Sequence, residues 1–416
     1  MNILKVHNRY RLHGGESESV EAEVALLEAA GHQVVLWEVD NASFTSRRAW
    51  LAGLGAPWSP AAYRTVRSLI RQNRPQVLAV HNFLPLVSPA VYYAAGAEGV
   101  AVVQSLHNYR IICPAATLFR QGRPCQACTA KSIAWPGLLH RCYRGSFGAT
   151  AAVVATNTLH RWLGTWHRRV DMYIAPSTFV RHKFLEAGFP ADRLAVKPNF
   201  LWADPGPGDG SGGYVFYAGR LAPEKGVATL LAAYRRLAAA PPLEVAGTGP
   251  LLARLAGEHP GTHWLGARRS DEVRQLMKRA AVFVCPSECP ESFGRVVIEA
   301  FAAGTPVIAS EIGALPELIE HGRTGLLFRP GDAEDLAAKI DWFFSHPNQA
   351  RAMRREARAE FEARYTAERN YPLLMEIYER AIRHRRAAGN EPAPAPDDPR
   401  HARGRHQLLG RYPTGD

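Results

Sequence analysis

The chain of 416 residues has no run approaching 18 consecutive apolar residues, so nothing in it reads as a membrane-spanning helix. Its start, MNILKVHNRYRLHGG, has one short apolar stretch, broken by Lys5 and followed by His7, Asn8 and Arg9. A secretory signal needs an unbroken apolar segment and a small-residue cleavage site, and the expected location is cytoplasmic. Cysteine is scarce: six residues cannot build a disulfide-dense secreted scaffold. The Gly-x-Gly-x-x-Gly turn of a dehydrogenase is missing after the first strand, as is the Walker loop of an NTPase. No Asp-x-Asp pair occurs, so no cofactor and no magnesium ion are expected for catalysis. Acid is lacking locally as well. From Gly99 to Val170 there is no Asp or Glu, while Arg110, Arg120, Arg123, Lys131, Arg141, Arg144, Arg161, Arg168 and Arg169 carry most of the net charge of +12. Such a segment attracts an anionic partner.

With 47% hydrophobic and 21% charged residues, the composition is that of an ordinary globular protein. At roughly 150 residues per domain the length allows two or three units. Apolar runs alternate with helical periodicity: ILKVHN, a loop, Val20, Val24 and Leu27 at helical spacing, then QVVLWEV. QVLAVHN and VAVVQSLHN follow, the continuous runs of parallel strands covered on both faces. PNFLWADPGPGDGSGG interrupts the rhythm, and a second alternation begins at YVFYAG. The expected class is α/β, with two doubly wound, Rossmann-like domains in tandem. Residues 1–198 form the first, with an insertion at 108–147, and 199–213 the linker. Residues 214–350 form the second, 351–385 a helix crossing back, and 386–416 a disordered tail.

The block PSECPESFGRVVIEAFAAGTPVIAS places Glu291 in a loop after a strand and Glu299 inside a helix expected from about Ser292. Ser292, Phe293, Gly294 and Arg295 would then offer backbone N–H groups and the positive end of a helix to a diphosphate or a sugar. Vicinal hydroxyls suit paired acceptors, so Glu299 fits a ribose and Glu291 a hexose; a first-turn carboxylate and a solvated helix residue are the plainer readings. In YVFYAGRLAPEKGVATLLAA, Arg220 leaves a strand and Lys225 opens a helix. Two cations there can neutralise a diphosphate leaving group, or simply belong to a surface turn. Gly14 and Gly15 offer bare backbone in the first β-α loop, and His107 stands at a strand's carboxyl edge, where α/β proteins bind ligands. Each of these also fits a structural role.

Taken together, GRLAPEKG, the GTGP turn at Gly247 to Pro250, PESFGRVVIEAFAAGTPVI and EHGRTGLLF resemble the retaining glycosyltransferases of family 4, with their GT-B fold. The resemblance covers residues 1 to about 385. It implies that Arg220 and Lys225 bind the donor diphosphate, Glu291 contacts the donor sugar and Glu299 the ribose. The amides from Ser292 to Gly294 would complete the sugar site, and His107 would lie at the reaction centre. The implied reaction moves a hexosyl group from a nucleotide diphosphate sugar to a glycan or lipid-linked hydroxyl with retention, in building surface polysaccharide or glycolipid. A nucleotide-sugar 2-epimerase on the same architecture is the rival enzyme.

Cys113, Cys125, Cys128 and Cys142 fall within thirty residues, with CQAC as a close pair. They are either four ligands of a structural zinc ion or four reduced thiols; Cys285 and Cys289 read as packing residues. Ala155, Leu159, Trp162, Leu163, Trp166 and Val170 recur on one helical face, which is expected to pack in the first domain's core. The basic residues beside it suit an anionic membrane surface. A nucleic-acid-binding protein would use the same cysteines and charge but leaves the paired Glu block unexplained, so no nucleic acid is expected as a partner.

Overall fold

In the computed structural model, residues 1–9, 14–40 and 55–390 are described. Runs such as Val77 to Val80 are apolar on both strand faces and need helices on both sides of a parallel sheet. The first half supplies β1 (Asn2–Arg9), β2 (Gln33–Asp40), β3 (Val77–Asn82) and β4 (Ala101–Ser105). A two-residue hairpin, β5 (Phe119–Arg120) and β6 (Arg123–Pro124), stands apart before β7 (Met172–Ala175) and β8 (Leu194–Val196). The first sheet runs β2-β1-β3-β4-β7-β8, all parallel.

The second half supplies β9 (Val215–Ala218), β10 (Leu243–Ala246), β11 (His263–Gly266), β12 (Val282–Cys285), β13 (Val307–Ser310) and β14 (Gly325–Phe328). Its order is β11-β10-β9-β12-β13-β14, again all parallel. The chain therefore reverses its direction of travel between β9 and β12, a switch point whose carboxyl end is where open α/β sheets bind ligands. GRLAPEKG leaves β9 and PSECPESFG leaves β12, so both motifs converge there.

Three expectations need correction. The helix expected from 351 is two helices: Pro347–Arg364 packs Met353, Ala357 and Phe361 into the second half's core. Between them Leu201 takes the carbonyl of Tyr365 at 3.1 Å and bridges to Thr366, which ends the first helix. The second, Ala367–Asn390, lays Leu374, Ile377, Tyr378 and Ala381 beneath Ile3, Val77 and Val103 of the first sheet. Residues 386–390 belong to that helix, and the expected tail beyond them lies outside the described residues.

The apolar stripe from Ala155 to Val170 is not one face of one helix. Helix Phe147–Trp162 ends before Gly164, whose φ of +65° is left-handed, and Trp166 and Val170 turn into the core alone. The helix instead buries Thr150, Val153, Val154, Thr156, Thr158 and His160. His160 is satisfied by Thr165 Oγ1 and the Pro57 carbonyl at 2.8 and 2.7 Å, which makes a polar face tolerable inside. Leu159, Trp162 and Leu163 are left in solvent, Trp162 at 69% exposure. The third correction, at Ser292, belongs to the site.

Candidate functional site

The lysine loop leaves β9, makes one tight turn at Pro223–Lys225 and enters helix Val227–Tyr234 through Gly226. Gly226 has φ +66°, and a Cβ there would lie 1.7 Å from the Pro286 carbonyl oxygen. Only glycine lets the two loops approach this closely. The Glu224 carbonyl then accepts from the Glu288 N–H at 3.0 Å, clamping one loop to the other. Across that clamp Lys225 Nζ donates to Glu291 Oε1 at 2.6 Å, and Ser287 Oγ donates to the same oxygen at 2.5 Å.

Burial alone would push the Glu291 carboxyl up, but the Lys225 charge and the bonds from Lys225 and Ser287 carry it below the usual range. Burial opposes the Lys225 charge as well, and Glu291 overcomes this to hold the ammonium above its ordinary value. The pair is therefore fully ionised at neutral pH. Arg220 stands largely in solvent, 62% exposed, in a long ion pair with Glu224 at 3.9 Å.

The expected helix start at Ser292 is corrected to Arg295, in helix Arg295–Ala302. Phe293 is pulled into the core and Gly294 turns at φ +93°, so Ser292 to Gly294 form a loop over the helix end. A Cβ on Gly294 would meet Leu315 Cδ2 at 2.7 Å. Among the described residues the N–H groups of Ser292, Phe293 and Gly294 have no protein acceptor, so they can donate to solvent or to a ligand.

The first half closes on this loop. Ser292 Oγ donates to the His107 carbonyl at 2.8 Å, Ser177 Oγ donates to the Ser292 carbonyl at 2.8 Å, and Tyr109 OH reaches the Glu291 carbonyl at 3.3 Å. Arg295 Nε lies 3.0 Å from Glu18 and 3.1 Å from Glu299, while Ser270 also bonds Glu18. A Cβ on Gly15 would be 3.3 Å from Arg295 Cδ; Gly14, the cap of helix Gly15–Ala29, faces open space. Glu299 thus shares Arg295 with Glu18, apart from the Lys225–Glu291 pair. Burial, then the Glu18 charge, push its carboxyl up to about 7 against the pull of Arg295.

His107 is positioned from beneath. Its Nε2 lies 2.9 Å from His81 Nδ1, the two rings stacked at 5.2 Å. His81 rests on Glu23, whose carboxylate also takes Lys5 at 2.6 Å and Lys197 at 3.1 Å. Burial first, then the charges of His7, Lys197 and Lys5, push His107 down to about 3, so its ring is neutral at physiological pH.

The four clustered cysteines sit away from this centre. Cys113 and Cys128 are buried, Cys125 and Cys142 half-buried, and all are free thiols. They line one small cavity, although no three His, Cys, Asp or Glu side chains among the described residues are gathered closely enough to hold an ion. Cys285, the last residue of β12, and Cys289 in the loop that follows are buried.

Sequence reasoning missed Ser287, Tyr109, Ser177 and Glu18. Ser287 is four residues before Glu291 and could have been read as its partner. The others meet the site only through contacts more than 100 residues apart in the chain, which no local pattern reports. Lys5 did leave a signal, a charge inside a doubly covered strand, where an ion must be paired.

The model of the glycosyltransferase family 4 matches residues 13–201, and that of the glycosyl transferases group 1 matches residues 207–360. The alpha-maltose-1-phosphate synthase of Mycolicibacterium smegmatis is 32% identical over 249 residues, covering 50% of this chain and 62% of that protein. The sulfoquinovosyl transferase SQD2 of Arabidopsis thaliana is 30% identical over 47% of this chain and 42% of its own. Less than two thirds of either relative's length is therefore matched. Among solved structures, the sucrose-phosphate synthase of Thermosynechococcus elongatus has a TM-score of 0.69 at 17% identity, over 92% of this chain and 99% of that one. The Anabaena protein Alr3699/HepE, solved in complex with UDP and glucose, gives 0.63 at 20% identity over 91% and 98%. Both carry the same two-sheet fold.

Proposed function

The chain belongs to the family 4 and group 1 glycosyltransferases, and from that premise we propose that it moves a hexosyl group from a nucleotide diphosphate sugar to a hydroxyl acceptor with retention of anomeric configuration. The observation that carries the reading is the ionised Lys225–Glu291 pair at the second sheet's switch point, in the loop that continues into Ser292 to Gly294. Arg220 and Lys225 neutralise the donor diphosphate, the amides and Glu291 hold the sugar, and Glu299 the ribose. His107, neutral, accepts or donates a hydrogen bond at the sugar without adding charge. The bond from the anomeric carbon to the diphosphate breaks, the acceptor oxygen bonds that carbon on the same face, and its proton passes to the departing diphosphate. The protein's part is positional and electrostatic. The UDP and glucose bound to the Anabaena protein support a nucleotide diphosphate donor.

The acceptor side supports a glycan or lipid-linked acceptor presented at an anionic membrane surface, as in surface polysaccharide synthesis. Trp135, Leu139, Phe147, Trp162 and Leu163 are exposed in a segment without acid, the composition of a surface that lies on lipid headgroups. No described helix is long and apolar enough to cross a membrane, so contact would be peripheral. Two measurements test the reading. Nuclear magnetic resonance of the product should show the donor's anomeric configuration kept; an inverted product, or a donor epimerised without transfer, would sink it. Co-sedimentation with anionic vesicles should weaken in Trp162→Ser/Leu163→Ser, and equal binding by both proteins would remove the membrane surface.

A further inference from the structure

We propose that the buried cluster of Lys5, Glu23 and Lys197 acts through His81 to fix the proton of His107 on Nδ1, so that His107 offers a sugar a hydrogen-bond donor and cannot act as a base. The part that concerns the sugar rests on the transfer reading above; the placing of the proton does not.

The two lysines reach one glutamate from separate elements. Lys5 is on β1, Glu23 on helix Gly15–Ala29, and Lys197 directly follows β8; all three are buried, as is His81 of β3. Desolvating three charges cancels most of what their attraction returns, so the cluster is a poor stabiliser and its use lies in what it touches. Lys197 also donates to Asn370 Oδ1 at 2.9 Å, and Asn370 Nδ2 donates to the Pro198 carbonyl at 2.7 Å. The returning helix Ala367–Asn390 is thereby tied to the cluster.

The direction of each bond follows from what each group can do. An ammonium has three donors and no acceptor. Lys5 Nζ lies 2.6 Å from Glu23 Oε2 and 3.1 Å from His81 Nε2, so Nε2 presents its lone pair and a neutral His81 carries its proton on Nδ1. That Nδ1 lies 2.9 Å from His107 Nε2, with the ring planes within 19° of each other; His81 donates and His107 Nε2 accepts. A neutral His107 then has its own proton on Nδ1, for which no described residue is a partner.

The charges agree with this order. Burial would raise the Glu23 carboxyl, but Lys5 and Lys197 carry it well below its ordinary range. Burial lowers the Lys5 ammonium, and the Glu23 charge at 2.6 Å opposes that. Two lysines against one glutamate already leave a positive charge over, and a protonated His81 would add another. Burial first, then the Lys5 charge, hold the His81 ring well below its ordinary range. With Nε2 occupied and Nδ1 protonated, His107 has no lone pair for the acceptor's proton, which leaves the departing diphosphate as the base.

Nitrogen-15 spectra of the full chain labelled at histidine, with His107 identified by the signal lost in His107→Gln, should show His107 protonated on Nδ1 and bare on Nε2 at neutral pH. Lys5→Met should shift His107 to a mixture of tautomers and lower kcat for transfer by about tenfold or more, with the donor's KM little changed. Should Lys5→Met fail to fold, the parent spectrum decides alone. A parent His107 with its proton on Nε2, the pattern that follows if His81 instead donates to Glu23 Oε2 at 3.5 Å, overturns the inference. So does a folded Lys5→Met whose His107 signals match the parent's. The Nδ1 proton in place without transfer from any nucleotide sugar would sink the transfer reading and leave the proton where it is placed here.

Discussion

Lys225 and Glu291 are a half-buried, hydrogen-bonded ion pair whose partners come from different loops. Removing Lys225 leaves a half-buried carboxylate without its cation, so Lys225→Ala should cost stability of about 1–2 kcal/mol and activity of about 10²- to 10³-fold. The two effects separate if nucleotide stabilisation is measured as an increment over each protein's own melting temperature. Glu299 gives a prediction in pH. Its folded pKa of about 7 exceeds the free value of about 4.3, so the native state holds a proton that the unfolded chain loses. That contribution is complete below about pH 4.3 and fades as the pH rises through about 7. The melting temperature of Glu299→Gln should therefore gain on the parent between pH 5 and pH 8. Parallel curves would show that the carboxyl ionises normally.

At the scale of the elements, the site depends on one glycine and one returning helix. Gly226→Ala must displace either the Pro286 carbonyl or the lysine loop, and should lower donor affinity together with stability, the latter by more than about 1 kcal/mol; an unchanged affinity would mean the loop moves without the lysine. Tyr378 is fully buried beneath the first sheet, so Tyr378→Ala should cost about 3–5 kcal/mol in denaturant melts while leaving nucleotide binding intact. This is also where sequence and structure part. The strands and the two motif loops were legible because apolar runs and Gly-flanked cations are local signals. The break at Tyr365 was not, since a contact with Leu201 ends the helix. Likewise the stripe through Trp162 read as core, whereas a satisfied His160 lets the opposite, polar face go inside. Glu291 and Lys225 could be named from their loops, but their bond required knowing that β9 and β12 are neighbours.

For the whole molecule, two doubly wound halves meet at directed polar contacts that include Ser177 and His107 on Ser292, Tyr109 on the Glu291 carbonyl, the Thr178 N–H on Glu317 at 2.8 Å, and Glu18 on Arg295 and Ser270. Glu18 joins two of them, so Glu18→Ala should raise the radius of gyration of the free enzyme in solution scattering, with donor restoring it; an unchanged radius would assign closure to the remaining contacts and the crossing helix instead. The proposed donor site holds a nucleotide diphosphate at the second sheet's switch point through Arg220 and Lys225. Its most direct test is thermal unfolding of the parent and of Lys225→Ala with UDP, GDP, ADP and CMP. At a hundredfold excess over its dissociation constant, one of the diphosphates should stabilise the parent by about 2.7 kcal/mol and leave Lys225→Ala unmoved. Equal stabilisation of both proteins, or of neither, would contradict it.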